Sequence, residues 1–196
     1  METFVRGSAL ATVVTLVLAF SGPASALPLI RLAEADMPAA KPSVPTPDTV
    51  KYVKDAAQGN QFELAAAKLA QARAADPDVR DYAKLMIADH TAIDDDLKAT
   101  VWQANLDVPV PSKLDDKHAE MLRDLSTASA GDFDRRYMQQ QILVQDEAVR
   151  VHTFYGDSGD NRLLREFANE TGPKVEAHLA LARHVALSAG AMQASR

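Results

Sequence analysis

The stretch that most constrains this chain is Val79 to Ala104, VRDYAKLMIADHTAIDDDLKATVWQA. Val79, Ala83, Met86, His90, Ile93, Leu97 and Thr100 follow one another at steps of four and three, the spacing of one face of a packed helix. Such a face has to be covered by other helices, because helical stability in a protein comes mainly from packing an apolar side. His90 is the member whose chemistry does not suit an apolar core.

The rest of the sequence supplies the covering helices. A first helix is predicted from about Asp48 to Ala75, with Val50, Val53, Ala57, Leu64 and Ala67 inward. Asp76 and Pro77 are an N-cap and a first helical residue, so the second helix starts at once and forms an antiparallel hairpin with the first. Pro109 and Pro111 break the chain, and Ser112 to Asp115 has the serine-to-acid spacing of a capping motif. It introduces a short helix carrying Met121, Leu122 and Leu125. A third long helix is expected from Phe133 to Tyr155, with Tyr137, Gln141, Val144, Ala148, Val151 and Tyr155 on its inner side. A fourth runs from Asn161 to Ser188, kinked or restarted at Gly172-Pro173, with Val175, His178, Leu181 or Ala182, and Val185 inside and Gly190 able to end it. No strand period occurs. The predicted architecture is all-α: an antiparallel four-helix bundle with a longer helical connection between the second and third core helices.

The N-terminal region differs in kind. Arg6 precedes an apolar run, Ala9 to Phe20, and Ala24-Ser25-Ala26 matches a small-residue cleavage site. Residues 1–26 therefore read as a secretory signal peptide, with the mature protein starting at Leu27 and residing in the periplasm. The alternative is an uncleaved anchor. Pro38, Pro42, Pro45 and Pro47 make residues 27–47 a proline-rich linker. The bundle domain is expected over 48–190, followed by a tail, 191–196. No other apolar run is long enough to span a bilayer. A net charge of -6 argues against nucleic-acid binding, and the absence of cysteine excludes disulfides, thiolate metal sites and cysteine nucleophiles. Neither a Gly-x-Ser-x-Gly motif nor a phosphate-binding glycine loop occurs, so no catalytic residues are assigned.

Four pieces together resemble the bacterial domain of unknown function 4142 family. They are Gly59 to Leu69 with Glu63, Met86-Ile87-Ala88-Asp89-His90, Phe133-Asp134-Arg135-Arg136-Tyr137, and Pro173 followed five residues later by His178. The resemblance covers about Asp48 to Val185. It implies an exported protein with a ferritin-like bundle. In that family the Phe-Asp-x-x-Tyr motif is commonly followed by a histidine in the same helix, where this chain has Gln145. A neutral amide is a poor ligand for first-row metals. His152, seven residues on, lies roughly 10 Å further along the helix and does not replace it.

Glu63, His90, Gln145 and His178 would then bring one polar residue from each helix into the interior. Bundles build metal sites in this way, but the i, i+3 Glu-x-x-His pair of di-iron bundles is missing. Glu63, His90 and His178 are the candidate ligands, with Asp94, Asp134, Tyr137 and Gln145 in support and zinc, iron or copper as the metal. The competing reading makes the histidines hydrogen-bonded core residues, with Asp94 holding the His90 ring, and Glu63, taken alone, a solvated residue on a helix edge. Asp94-Asp95-Asp96 reads mainly as a solvated face, and Trp102 as a core or rim residue. Two functions follow: a non-enzymatic envelope or stress-related interaction module with an envelope protein as partner, or a ferritin-like metal-binding protein.

Overall fold

The computed structural model describes residues 43–194, which form five helices and no strand. They are α1 (Pro47–Arg73), α2 (Pro77–Gln103), α3 (Asp116–Thr127), α4 (Phe133–Ser158) and α5 (Arg162–Ala194). The signal segment and nearly all of the proline-rich linker lie outside the described residues.

Short-range signals set the starts. Thr46 caps α1 by accepting from the Thr49 amide at 3.2 Å, and Asp76 caps α2 by accepting from the Asp78 amide at 2.8 Å. Each is followed by proline at the first helical position, where a missing N–H costs nothing. Asp115, rather than Ser112, caps α3, accepting from the His118 amide at 2.8 Å; the carboxylate directly precedes the helix, whereas Ser112 stands too far upstream. Ala74 to Asp76 is the only chain between α1 and α2, which forces an antiparallel hairpin. α4 and α5 form a second hairpin across Gly159 to Asn161.

The two hairpins pack with α2 on α5 and α1 on α4, while α3 lies over α1 and α4. Thr49 near the start of α1 meets Tyr155 near the end of α4 at 2.7 Å, so those helices are also antiparallel. One end of the bundle thus holds the start of α1, the ends of α2 and α4, and the start of α5. At that end Asn105 takes a left-handed conformation (φ 49°) just past α2, and its carbonyl accepts from the Ser43 amide at 2.8 Å. At the opposite end, the Asp134 carboxylate accepts from the amides of Ala75 at 3.1 Å and Asp76 at 2.8 Å, tying α4 to the α1–α2 corner.

α4 and α5 approach closely near Gly156, where a Cβ would stand 2.3 Å from Asn169 Oδ1. Pro173 sits inside α5, which continues through it and past Gly190 to Ala194 rather than restarting. The Asn169 carbonyl lacks its usual amide donor there. No helix among the described residues is long and apolar enough to cross a membrane.

The buried apolar residues fall into two clusters along the bundle. One gathers Phe62, Tyr82, Met86, Phe133 and Tyr137. The other gathers Tyr52, Val53, Leu97, Tyr155 and Phe167. Met86, Ile93, Leu97 and Val144 are buried as predicted, Val151 is half-buried, and of Leu181 and Ala182 it is Ala182 that is fully inside. On α1 Val53, Ala57 and Ala67 are buried as predicted, but Val50 is exposed and Leu64 half-buried, and Tyr52, Phe62 and Glu63 are also inside. The reason is that the true face of α1 runs through Asn60 and Glu63, which an apolar count passes over. Thr100 is half-buried and Val101 takes the core position. Trp102, expected in the core or at its rim, is 82% exposed.

Candidate functional site

Between the two apolar clusters lies a belt of buried polar side chains. α1 contributes Asn60 and Glu63, α2 His90, α4 Gln141 and Gln145, and α5 His178. The positions follow from helix periodicity: each lies about one turn from cluster residues on either side, as His90 does from Met86 and Ile93.

His90 is held at both nitrogens. Asn60 Nδ2 donates to the His90 carbonyl at 2.9 Å, which fixes the amide and leaves Asn60 Oδ1 to accept from His90 Nδ1 at 2.7 Å. His90 Nε2 is then a lone pair, facing Gln145 Nε2 at 3.2 Å. The same Gln145 nitrogen lies 3.4 Å from Met86 Sδ. Burial pushes the His90 imidazole down to about 3, with smaller contributions from His178, His152 and Lys174, so the ring is neutral. The Gln145 amide therefore acts as a donor to the ring beside it.

His178 makes a different bond. Its Nε2 donates to Asp89 Oδ2 at 2.7 Å, and its buried Nδ1 has no partner. Burial lowers its pKa, opposed by Asp89. The His90 and His178 rings are 5.3 Å apart between centroids and tilted by 46°.

Glu63 is 1% exposed, so it is not a solvated edge residue. Neither carboxyl oxygen makes a hydrogen bond. Burial raises its pKa to about 8, against a smaller lowering by the Gln141 amide beside it. The carboxyl is thus mostly protonated at neutral pH. The buried Tyr82 and Tyr137 hydroxyls stand within its electrostatic reach; burial raises both well above the usual tyrosine value, with Glu63 adding to the effect and the Gln145 amide opposing it at Tyr82.

Beside Glu63 is a cavity of about 180 Å³ that opens between α1 and α4 under the start of α3. His90 and His152 reach it with Glu63, and Ile93, Val144 and Val175 are among its apolar walls. At its edge Lys51 pairs with Asp55, and Lys117 with Glu147. A Cβ at Gly59 would meet nothing within 4 Å. The small neighbours of Glu63 thus do two things: Ala66 and Ala67 are packed away completely, and Gly59 leaves room.

The predicted residues are therefore partly gathered. Glu63, His90, Gln145, His178 and Tyr137 share the interior. Asp94 does not hold His90; its carboxylate accepts from Gln61 at 2.9 Å and Lys98 at 2.5 Å, because its place on α2 turns it toward α1 and the surface. Asp134 serves the α1–α2 corner, since the first turn of α4 lies at the end of the bundle. Asn60 and Tyr82 go unassigned in the sequence, while Gln141 is expected inward but not in the site and His152 is weighed only as a stand-in for Gln145. Asn60 and Gln141 stand three and four residues from Glu63 and Gln145, a same-face signal that the sequence did carry. His152 bonds Tyr52 Oη through Nδ1 at 3.0 Å. Among the described residues, no group of three or more histidine, aspartate or glutamate side chains is arranged to hold a metal ion.

Two antiparallel helical hairpins, bridged by a short helix and crossed by a polar belt, define an all-α bundle protein. The chain belongs to the family described as Domain of unknown function (DUF4142), whose profile matches residues 33–185. Among solved structures it is similar to one titled "Crystal structure of DUF305 fragment from Deinococcus radiodurans". That match has 17% identity and a TM-score of 0.62, covering 74% of this chain and 98% of the other. At that identity the likeness shows the fold alone. No curated protein matches the chain.

Proposed function

We propose that this chain is an exported periplasmic protein that acts without catalysis, as an envelope or stress-related interaction module. The observation that carries this reading is the exposure of Trp102 and Phe154, 82% and 71%, at the same end of the bundle. Exposed aromatics are the side chains that most often anchor protein partners. Export is supported by the apolar run Ala9 to Phe20 and the Ala24-Ser25-Ala26 site. Kinship with ferritin-like bundles is supported by the directions of the four long helices and by the crossover through α3. A photo-crosslinking residue at 102 or 154 should give a discrete adduct with an envelope protein in exporting cells, and the mature chain should begin at Leu27. No adduct from either position beyond that of an exposed control such as Leu187, or Met1 retained on the periplasmic protein, would overturn the corresponding half of the proposal.

A second reading, metal binding by Glu63, His90 and His178, is favoured by the partnerless Glu63 oxygens and His178 Nδ1. The residues as placed do not form a three-ligand set, and Gln145 engages the free lone pair of His90. Metal content of untagged protein purified from the periplasm decides between the readings. Stoichiometric zinc, iron or copper that is lost in a His90→Ala, His178→Ala double variant would establish the metal reading.

A further inference from the structure

Glu63 is a buried acid whose polar neighbour is the Gln141 side chain. Its two oxygens are buried and meet no donor in full hydrogen-bond geometry, and the residue lines a cavity. Buried polar groups are nearly always hydrogen-bonded, so such a group needs a ligand or water. The cavity has about 180 Å³, against ~150 Å³ for an apolar cavity that admits benzene. Its walls include Ile93, Val144, Ala148, Val151 and Val175, which suit an aliphatic body. The lysines at its edge, Lys51 and Lys117, face Asp55 and Glu147 in exposed ion pairs, and Asp115 lies at the same edge, so the rim carries acids as well as cations.

Gly59 is a second, independent sign. Glycine inside a helix costs roughly 1 kcal/mol relative to alanine, yet here a side chain would meet no neighbour. Helix packing therefore does not require it. Its effect is to keep the cavity wall open next to Glu63.

We propose that this chamber binds a small primary ammonium ion, with its N–H groups donating to the Glu63 carboxylate and its aliphatic chain against the apolar wall. The proposal stands apart from the surface reading above: loss of the crosslink at Trp102 leaves it untouched. Because Glu63 is held mostly protonated, the cation displaces a proton. The ammonium ion enters, the carboxyl releases its proton to solvent, and a charge-assisted bond replaces a neutral buried acid. Tyr82 and Tyr137 face Glu63 from α2 and α4, His90, His152 and His118 stand around the chamber, and Asp115 lies with the two ion pairs at its edge.

The test uses n-butylammonium chloride as probe, with n-butanol, sodium butyrate and zinc chloride as separate arms. With n-butylammonium a hundredfold above its Kd, the wild-type Tm should rise by about 5 °C or more. Calorimetry at pH 7 in buffers of different ionisation enthalpy should show a proton released on binding. Glu63→Gln keeps the shape and removes the charge, and should abolish both effects. Gly59→Leu should fold, be at least as stable as wild type, and fail to bind because its side chain fills the chamber. An equal response to n-butanol would show that the chamber reads only apolar volume and would overturn the proposal. So would an unchanged wild-type Tm, an undiminished response in Gly59→Leu, or stabilisation by butyrate or zinc but not by the ammonium ion.

Discussion

The two halves of the bundle treat their tyrosines differently. At the end where α1 begins, Tyr52 bonds His152, and Tyr155 bonds Thr49 at 2.7 Å and Asp160 at 3.2 Å. The Tyr52 and Tyr155 rings stack at 4.0 Å. In the other half the Tyr82 and Tyr137 hydroxyls are just as buried, yet Tyr137 has no hydrogen-bond partner and Tyr82 has only the Gln145 amide near it, outside full hydrogen-bond geometry. Burial of aromatic surface stabilises both halves. Only the first also uses its tyrosine hydroxyls to fasten helix to helix. The second keeps unused hydrogen-bonding capacity beside Glu63, which is what a binding chamber needs and a purely structural core avoids.

The contrast can be broken in steps of decreasing size. Met86 is fully buried against Tyr82 and Tyr137 in the looser half. Met86→Asp should cost about 4 kcal/mol or more, because an unpaired charge replaces an apolar core group. A chemical denaturation midpoint close to wild type would show that this half is not a packed core at all.

The next effect is pH dependence. The folded state binds the Glu63 proton more tightly than the unfolded chain does, with a pKa of about 8 against 4.5. Its contribution is therefore fully present below about pH 4.5 and is lost as pH rises to 8. His90, lowered to about 3, and His152, lowered to about 4, act in the opposite sense: folding resists their protonation, and stability falls as pH drops below about 6.5. Stability should peak in mildly acidic solution. Glu63→Gln should flatten the alkaline limb and leave the acidic limb in place, as read by Tm across a pH series. An unchanged alkaline limb would mean that Glu63 is ionised in the folded protein.

The tyrosines give a smaller and more direct comparison. Tyr155→Phe removes a hydroxyl with partners and should cost about 1 kcal/mol. Tyr137→Phe removes one without and should be neutral or slightly stabilising. Equal losses in urea denaturation would erase the distinction between the halves. The smallest effect is expected at the surface: Trp102→Ser should change stability by no more than about 0.5 kcal/mol, and a larger loss would place the indole against the bundle.

The fold was legible in the sequence where apolar spacing and caps agreed. Asp76-Pro77 and the stripe from Val79 to Leu97 determine α2 nearly to the residue. Legibility failed where a helix turns a polar side inward. On α1 the apolar count selects Val50 and Leu64, while packing selects a face through Asn60 and Glu63. The burial of Glu63 is decided by α2 and α4, which no local pattern contains. His90 and His178 were readable as odd members of apolar stripes, but their partners were not. Asn60 and Asp89 are ordinary polar helix residues until the helices come together. Asp94 misled for the same reason: one turn from His90 along the sequence, it points to a different neighbour.

The carboxylate of Asp134 has a consequence for how the chain comes to be folded. The α1–α2 hairpin is local and could form early, yet two amides at its corner are satisfied by a residue nearly sixty positions further along. The first hairpin is therefore not a self-sufficient unit. A chain interrupted before residue 134 would carry an open corner as well as an uncovered face. The later half does more than cover the earlier one; it completes its turn.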